Sequence, residues 1–156
     1  MFKSIVVNGV RLVVYPDGTI LKYLNRRTNF YSKGWNICVE KTSIKGYKHI
    51  GLGLKRYLSH RLIATAFLGL DIENKSQIVD HIDKQKSNNT LENLRIVSSQ
   101  QNSFNTNAKG YSWNNKSGKF QARIHRDSCI NLGFFDTKEE AHQAYLEAKK
   151  IYHIIE

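Results

Sequence analysis

The first apolar residues of the chain form short alternating runs separated by turn residues, a pattern typical of β-strands. Residues 5–7 and 10–14 flank Asn8-Gly9, the dipeptide preferred in a two-residue hairpin turn. Pro16-Asp17-Gly18 predicts a second turn, because proline presets φ and glycine tolerates a positive φ. With a third strand at 19–24, the pattern predicts a β-meander.

The middle of the chain combines helical and strand patterns. A short helix running to residue 67 is predicted, with Ser59 as its N-cap and apolar side chains on one side. Residues 77–81 and 94–97 are predicted strands joined by a polar loop. Ser98 with Gln101 fits a capping box, so a second helix is expected to begin there.

The last third of the chain has the pattern of a small sheet backed by one helix. Residues 120–125 alternate between apolar and polar side chains, which gives a strand one face of each kind, and residues 130–135 predict another strand. Thr137 with Glu140 is a second capping box, followed by a helical periodicity of alanine and tyrosine. Residues 103–110 are predicted to be a linker.

Positive charge is concentrated at the start of the chain. The sequence has 24 Lys and Arg against 13 Asp and Glu, a net charge of +11. Residues 1–56 carry eleven of these basic side chains and only two acidic ones. Residues 25–36, which include Arg26 and Arg27, are expected to form a loop or an edge that faces nucleic acid, before two short strands within 37–54. The surplus favours a polyanionic partner, although a merely basic protein would share this composition.

Cysteine usage and hydropathy exclude several other classes of protein. Cys38 and Cys129 stand alone, without the close pairwise spacing of a zinc site or the density of a disulfide scaffold. We therefore expect reduced thiols and a cytoplasmic protein. The N-terminal segment has no apolar run long enough for a signal peptide or a membrane span, so no membrane partner is expected.

A polar constellation lies around the second predicted hairpin. If the first strand ends opposite the first turn of the following helix, Asp80, His81 and Asn102 can approach one point. Asp and Asn supply hard oxygen ligands, which suit one Mg²⁺ ion, with Mn²⁺ as a substitute, better than zinc. An imidazole titrates near neutrality, so His81 can accept a proton from water. One hard cation and one base are sufficient to hydrolyse a phosphodiester.

This segment resembles the HNH endonuclease family, specifically homing endonucleases of the phage type. The resemblance covers about residues 57–105, including Ser59-His60-Arg61-Leu62-Ile63-Ala64, which is similar to the family's lead-in helix. The motif itself consists of Val79-Asp80-His81-Ile82-Asp83, then Asn88-Asn89, then Leu91-Glu92-Asn93-Leu94-Arg95, and finally Asn102.

The resemblance implies a role for each motif position. His81 would be the general base, Asp80 and Asn102 would be metal ligands, and Asn93 would brace the loop through backbone hydrogen bonds. Taken singly, Asp80 is better explained as a strand-end cap, His81 as a structural histidine and each asparagine as a turn residue. His60 is interpreted as structural or phosphate-contacting rather than catalytic.

The C-terminal segment resembles an AP2-type DNA-binding domain over about residues 108–153. Gly110-Tyr111-Ser112-Trp113, Gly118–Ile124 and Leu132–Ala141 carry this similarity. It implies a three-stranded antiparallel sheet on a helix, with the polar face of the sheet in the major groove. Alternation along the strand selects three DNA-facing residues, Gln121, Arg123 and His125. The resemblance adds three more, Tyr111, Trp113 and Asn131.

These observations predict an α+β protein: a basic β-rich segment (1–56), a ββα-metal nuclease core (57–107) and an AP2-like domain (108–156). The expected function is metal-dependent cleavage of double-stranded DNA, leaving 5′-phosphate and 3′-hydroxyl ends as the resemblance implies. One site per chain favours nicking by a monomer, with a dimer left open. The alternatives are a non-catalytic DNA-binding regulator on the same scaffold and an RNA-binding protein that stacks bases on Tyr31, Trp35 and Tyr47.

Overall fold

The computed structural model describes residues 1–155, which form two compact units divided after Ser98. The first unit opens with an antiparallel sheet of order β1-β2-β3-β4. Its strands are β1 Lys3–Val7, β2 Val10–Val14, β3 Ile20–Leu24 and β4 Gly34–Ile37. Asn8 and Gly9 both have positive φ, 50° and 73°, which confirms the predicted hairpin turn.

The strand β4 includes the last residues of the segment 25–36, which was predicted to be a loop or an edge. These residues form an edge strand of the sheet, in which Trp35 pairs with Tyr23 of β3. Arg26 and Arg27 lie in the connection between the two strands, and both are exposed.

A second antiparallel sheet leads directly into the first helix. It contains β5 Lys41–Thr42, β6 Lys48–Leu52 and β7 Lys55–Leu58, one strand more than the sequence predicted. Helix α1, Ser59–Phe67, follows β7 without a loop, so the extended residue Leu58 is the N-cap. The prediction of Ser59 as N-cap is therefore wrong. Ser59 is the first residue of the helix, and its side chain is fully buried and has no hydrogen-bond partner.

The core of the first unit joins both sheets to α1 and to a second hairpin. Fully buried residues come from β2, β6 and α1, and they include Leu12, Ile50, Leu52, Leu62 and Ile63. Each such side chain contributes roughly 1.5–3 kcal/mol on burial. The β-rich segment 1–56 thus shares one hydrophobic core with the segment that follows it.

The second hairpin consists of β8 Ile78–His81 and β9 Leu94–Val97, preceded by a short 3₁₀ turn, Leu91–Asn93. The strands are antiparallel, with Asp80 opposite Arg95 and His81 opposite Leu94. Arg61 of α1 secures the segment leading into β8, since its guanidinium donates to the carbonyls of Asn74 and Gln77, both at 2.7 Å.

The second unit contains helix α2 Ser99–Phe104, strands β10 Tyr111–Asn114, β11 Lys119–His125 and β12 Cys129–Phe135, and helix α3 Lys138–Tyr152. The sheet is antiparallel in the order β10-β11-β12, and α3 packs against it. The predicted capping box of Thr137 and Glu140 is confirmed by both of its hydrogen bonds.

Phe104 departs from the predicted linker. It is 5% exposed, and its ring stacks on His153 with centroids 4.1 Å apart. Within residues 1–155, no helix is long and apolar enough to cross a membrane.

Candidate active site

Asp80 and His81 lie at the end of β8, and both are buried, with 8% and 5% of their surfaces exposed. Because successive strand residues point to opposite faces, the two side chains have different neighbours. Asp80 contacts the cross-strand Arg95, whereas His81 lies among polar and aromatic groups from the following loop and from α1.

The imidazole of His81 is anchored by an asparagine of the polar loop. Its Nε2 lies 3.0 Å from the side-chain oxygen Oδ1 of Asn89, which is itself 6% exposed. An amide oxygen only accepts hydrogen bonds, so this contact places the imidazole proton on Nε2. Nδ1 then carries the lone pair that can accept a proton from water.

Two rings from other elements form a wall beside His81. The ring of His60 on α1 lies 5.0 Å from that of His81 at an angle of 76°, and Tyr47 lies 6.1 Å away. Burial first, and then the neighbouring His81 and Arg61, lower the pKa of His60 to about 3. His60 is therefore neutral near pH 7, and its 4% exposure favours the structural interpretation over phosphate contact.

Asn93 ties together the two ends of the loop that follows His81. Its Oδ1 accepts from the backbone N–H of Asp83 at 3.0 Å, and its Nδ2 donates to the Asp83 carboxylate at 2.9 Å and to the Asn88 carbonyl at 2.8 Å. Its own carbonyl accepts from the N–H of Ile82. The backbone just after His81 is thereby held in one conformation.

Asp83 caps the same loop. Its carboxylate accepts from the N–H of Gln85 and from the side chain of Asn88, both at 2.7 Å. The hydrogen bond from Asn88, followed by those from Gln85 and Asn93, lowers the pKa of Asp83. These hydrogen bonds fix the start of the loop around Asp83.

Asp80 forms a salt bridge with Arg95 on β9. Both Nε and Nη2 of Arg95 donate to the same oxygen, Oδ2, at 3.0 and 2.8 Å. A charge-assisted pair of this kind is strong where solvent is excluded. The predicted metal-ligand carboxylate is therefore already bound to a cationic side chain.

The predicted metal ligands fit a hard cation by their chemistry. Asp80 offers a carboxylate and Asn102, on α2 of the second unit, offers an amide oxygen. Both are donors that Mg²⁺ and Mn²⁺ accept. In the described part of the chain, no three His, Cys, Asp or Glu side chains cluster as a metal cage.

The six predicted DNA-facing residues of the second unit do not share one face of the sheet. Directly paired residues point to the same side, and Tyr111 pairs with Ala122 while Trp113 pairs with Phe120. Both rings contact Phe120. They lie opposite the face of Gln121, contrary to the expectation, because strand register decides the face.

The other face carries a connected polar network. Gln121 donates to Asn131 at 3.1 Å and accepts from Asn114 at 3.3 Å, and the guanidinium of Arg123 also donates to it. Arg123 pairs with Asn131 across the sheet, and a bulge lies between Ala122 and Arg123. Arg123 and His125 are exposed, whereas Gln121 is 91% buried within this network.

Sequence reasoning missed Asn89 and Arg95 as parts of the site, since both were treated as ordinary motif residues. Asn89 reaches His81 across eight positions, and Arg95 reaches Asp80 across fifteen. The signal for Arg95 was available, because an antiparallel hairpin of this loop length can place the two opposite each other.

Comparison with known proteins gives this geometry a class. Residues 57–104 match the HNH endonuclease family. The similarity to HNH endonucleases therefore lies in this segment. Enzymes of this class generally use a divalent metal ion.

Two relatives extend the similarity. YosQ, a Bacillus subtilis SPbeta prophage protein whose name assigns it to the HNH homing endonucleases, is 44% identical over 59 residues, 38% of this chain and 33% of its own. The HNH endonuclease L560 of Acanthamoeba polyphaga mimivirus is 39% identical over 105 residues, 60% of this chain and 52% of its own. The chain thus spans about a third and about half of these relatives.

A solved structure shares the fold. The HNH homing endonuclease I-HmuI, solved in a study of DNA binding and cleavage, superimposes with a TM-score of 0.50. The match covers 90% of this chain and 82% of I-HmuI at 21% sequence identity. At this level of identity the likeness concerns the fold.

Proposed function

We propose that the protein is a metal-dependent endonuclease of the homing type that cuts double-stranded DNA. The observation that carries the proposal is the placement of His81: a buried imidazole at a strand end, with Nε2 anchored on Asn89 and with Asp80 as its neighbour in sequence. This arrangement combines a base of defined tautomer with a hard oxygen ligand, within a domain of nuclease class.

His81 acts as the general base in this proposal. Its Nδ1 takes a proton from the attacking water, and Asn89 stabilises the proton already on Nε2 as the ring becomes cationic. Asn93 supports this role by fixing the backbone of the loop that begins at Ile82. The neutral His60 ring adds no positive charge that would oppose the protonation of His81.

Asp80 and Asn102 are the residues proposed to hold one divalent cation, Mg²⁺ with Mn²⁺ as a substitute. When bound, such an ion stabilises negative charge on the phosphate and on the leaving oxygen. Asp80 contributes a buried carboxylate and Asn102 a neutral amide oxygen. The proposed products are 5′-phosphate and 3′-hydroxyl ends.

DNA binding is proposed for the segments on either side of the nuclease core of residues 57–107. Residues 1–56 supply most of the net positive charge, and Arg26 and Arg27 are exposed between β3 and β4. Residues 108–156 are proposed to be an AP2-like domain, which is supported by their antiparallel order of three strands and one helix. Its DNA-reading residues are proposed to be Gln121, Arg123, His125 and Asn131 on the polar face.

One such site per chain would cut one strand, so a monomer that nicks duplex DNA is the proposed form. Supercoiled plasmid carrying a candidate target tests the proposal in the presence of Mg²⁺, Mn²⁺ or a chelator. We expect nicked product only with metal, and its loss in His81→Ala. His49→Ala is a matched control, because His49 lies on β6 and belongs to no proposed site.

The same assay contains the result against the proposal. If the protein shifts the DNA in a gel but yields no nicked or linear product with either metal, the cleavage role fails for that target. The behaviour would then be that of a DNA-binding regulator built on a nuclease scaffold. A chelator-resistant cut would contradict the metal role alone.

A further inference from the structure

Arg95 is bound to the same carboxylate that the proposed function assigns to the metal. Its Nε and Nη2 both donate to Oδ2 of Asp80, and β8 and β9 place the two residues directly opposite each other. The side chain of Asp80 is 9% exposed and that of Arg95 is 26% exposed. The carboxylate is therefore largely shielded from water, whereas the guanidinium remains partly accessible from solvent.

A divalent cation at Asp80 would meet a like charge on Arg95. An arginine does not lose its proton in a protein, so the repulsion cannot be removed by deprotonation. The burial of Asp80 limits screening by solvent. Arg95 must then either weaken metal binding or find another anion.

DNA supplies such an anion. A guanidinium binds a phosphate with the same pair of donors that it uses for a carboxylate. The proposed substrate is a chain of phosphates, and the site's chemistry requires one of them next to the metal. The positive charge of Arg95 therefore repels the cation in the free protein and attracts the phosphate when DNA is bound.

We propose that Arg95 couples metal binding to DNA binding. In the free protein Arg95 competes with the divalent cation for the Asp80 carboxylate, and it releases this carboxylate to the cation when a DNA phosphate binds the guanidinium. This inference rests on the proposed function. By thermodynamic linkage, duplex DNA raises the affinity for metal, and metal raises the affinity for DNA by the same factor. Metal is then held firmly only where substrate is present.

The test measures binding of Mn²⁺ to the full chain by calorimetry and by the loss of the free-ion electron paramagnetic resonance signal. All proteins carry His81→Ala, so that added duplex is not cut. Without DNA, Arg95→Gln is expected to bind Mn²⁺ about tenfold more tightly than the parent. Arg95→Lys keeps the charge and is expected to remain near the parent. Addition of duplex should raise Mn²⁺ affinity more in the parent than in Arg95→Gln.

Each contrary result has a distinct meaning. Unchanged or weaker Mn²⁺ binding in Arg95→Gln overturns the competition, and equal tightening in Arg95→Lys overturns its electrostatic cause. Should Arg95→Gln fail to fold, the parent alone decides, because no gain in Mn²⁺ affinity on adding duplex would refute the coupling. Asp80→Asn distinguishes a failure of the coupling from a failure of the proposed metal site. If this variant binds Mn²⁺ like the parent, the proposed metal site is itself wrong.

Discussion

The buried imidazole of His60 makes the first unit sensitive to acid. Its pKa is about 3 in the folded protein, against an ordinary value of 6.5. The unfolded chain therefore takes up a proton at this position as the pH falls below 6.5, whereas the folded protein does not. Above that pH, His60 does not lower the free energy of unfolding. As the pH falls from 6.5 toward about 3, the free energy of unfolding decreases progressively because the unfolded state is protonated first.

The size of the effect follows from the two pKa values. Between pH 7 and pH 5, preferential protonation of the unfolded state costs about 2 kcal/mol of unfolding free energy from this one group. That is a large part of the roughly 5–15 kcal/mol by which a folded domain is typically stable. His60→Phe removes the titration while keeping a ring beside Tyr47 and His81.

The assay follows urea unfolding of the first unit at pH 7, 6 and 5. Trp35 on β4 reports on this unit, and Trp113→Phe removes the other tryptophan, which lies in the second unit. The histidine-containing protein is expected to lose about 2 kcal/mol more than His60→Phe between pH 7 and pH 5. Both proteins share all other histidines, so parallel pH dependences would refute the reasoning.

Three further predictions concern single substitutions. Asn89→Ala removes the side-chain oxygen that accepts the hydrogen bond from His81. The rate constant of single-turnover cleavage should therefore fall by about 10- to 100-fold, with an unchanged gel-shift Kd. An unchanged rate constant would count against the anchoring role. Gly110→Ala places a Cβ on the ring of Tyr145 at a φ of +73°, and should cost the second unit at least about 2 kcal/mol in thermal unfolding. Thr137→Ala should cost about 1 kcal/mol in the same assay, with recovery in Thr137→Ser, and a neutral change would show that the capping box is dispensable.

Local features of the fold could be predicted because local physics sets them. The Asn8-Gly9 turn needs only two residues that tolerate positive φ. The capping box at Thr137 is complete within four residues. Ser59 misled the same reasoning, because its N-cap position depended on whether a loop precedes the helix. The strand β7 runs to Leu58, which pairs with His49 of β6. Because β7 continues directly into the helix, Leu58 rather than Ser59 is the N-cap.

The assignment of residues to faces shows the same limit. Alternation along β11 correctly separates Ala122 and Ile124, which are 0% and 1% exposed, from the exposed Arg123. The side on which Tyr111 and Trp113 lie depends on their partners in β11, and a shift of one residue would reverse it.

The sequence by itself determined which residues are available for chemistry: an Asp80-His81 pair at the end of a strand, a loop rich in asparagine and a basic N-terminal segment. These follow from residue type, spacing and hydrophobic period, which act over a few neighbouring positions. Only the tertiary structure decided how the side chains pair. Asn89 anchors His81 because the loop folds back on the strand, and Arg95 binds Asp80 because the register of β8 and β9 sets them opposite. Pairing of this kind depends on distances between remote parts of the chain, which local sequence leaves open.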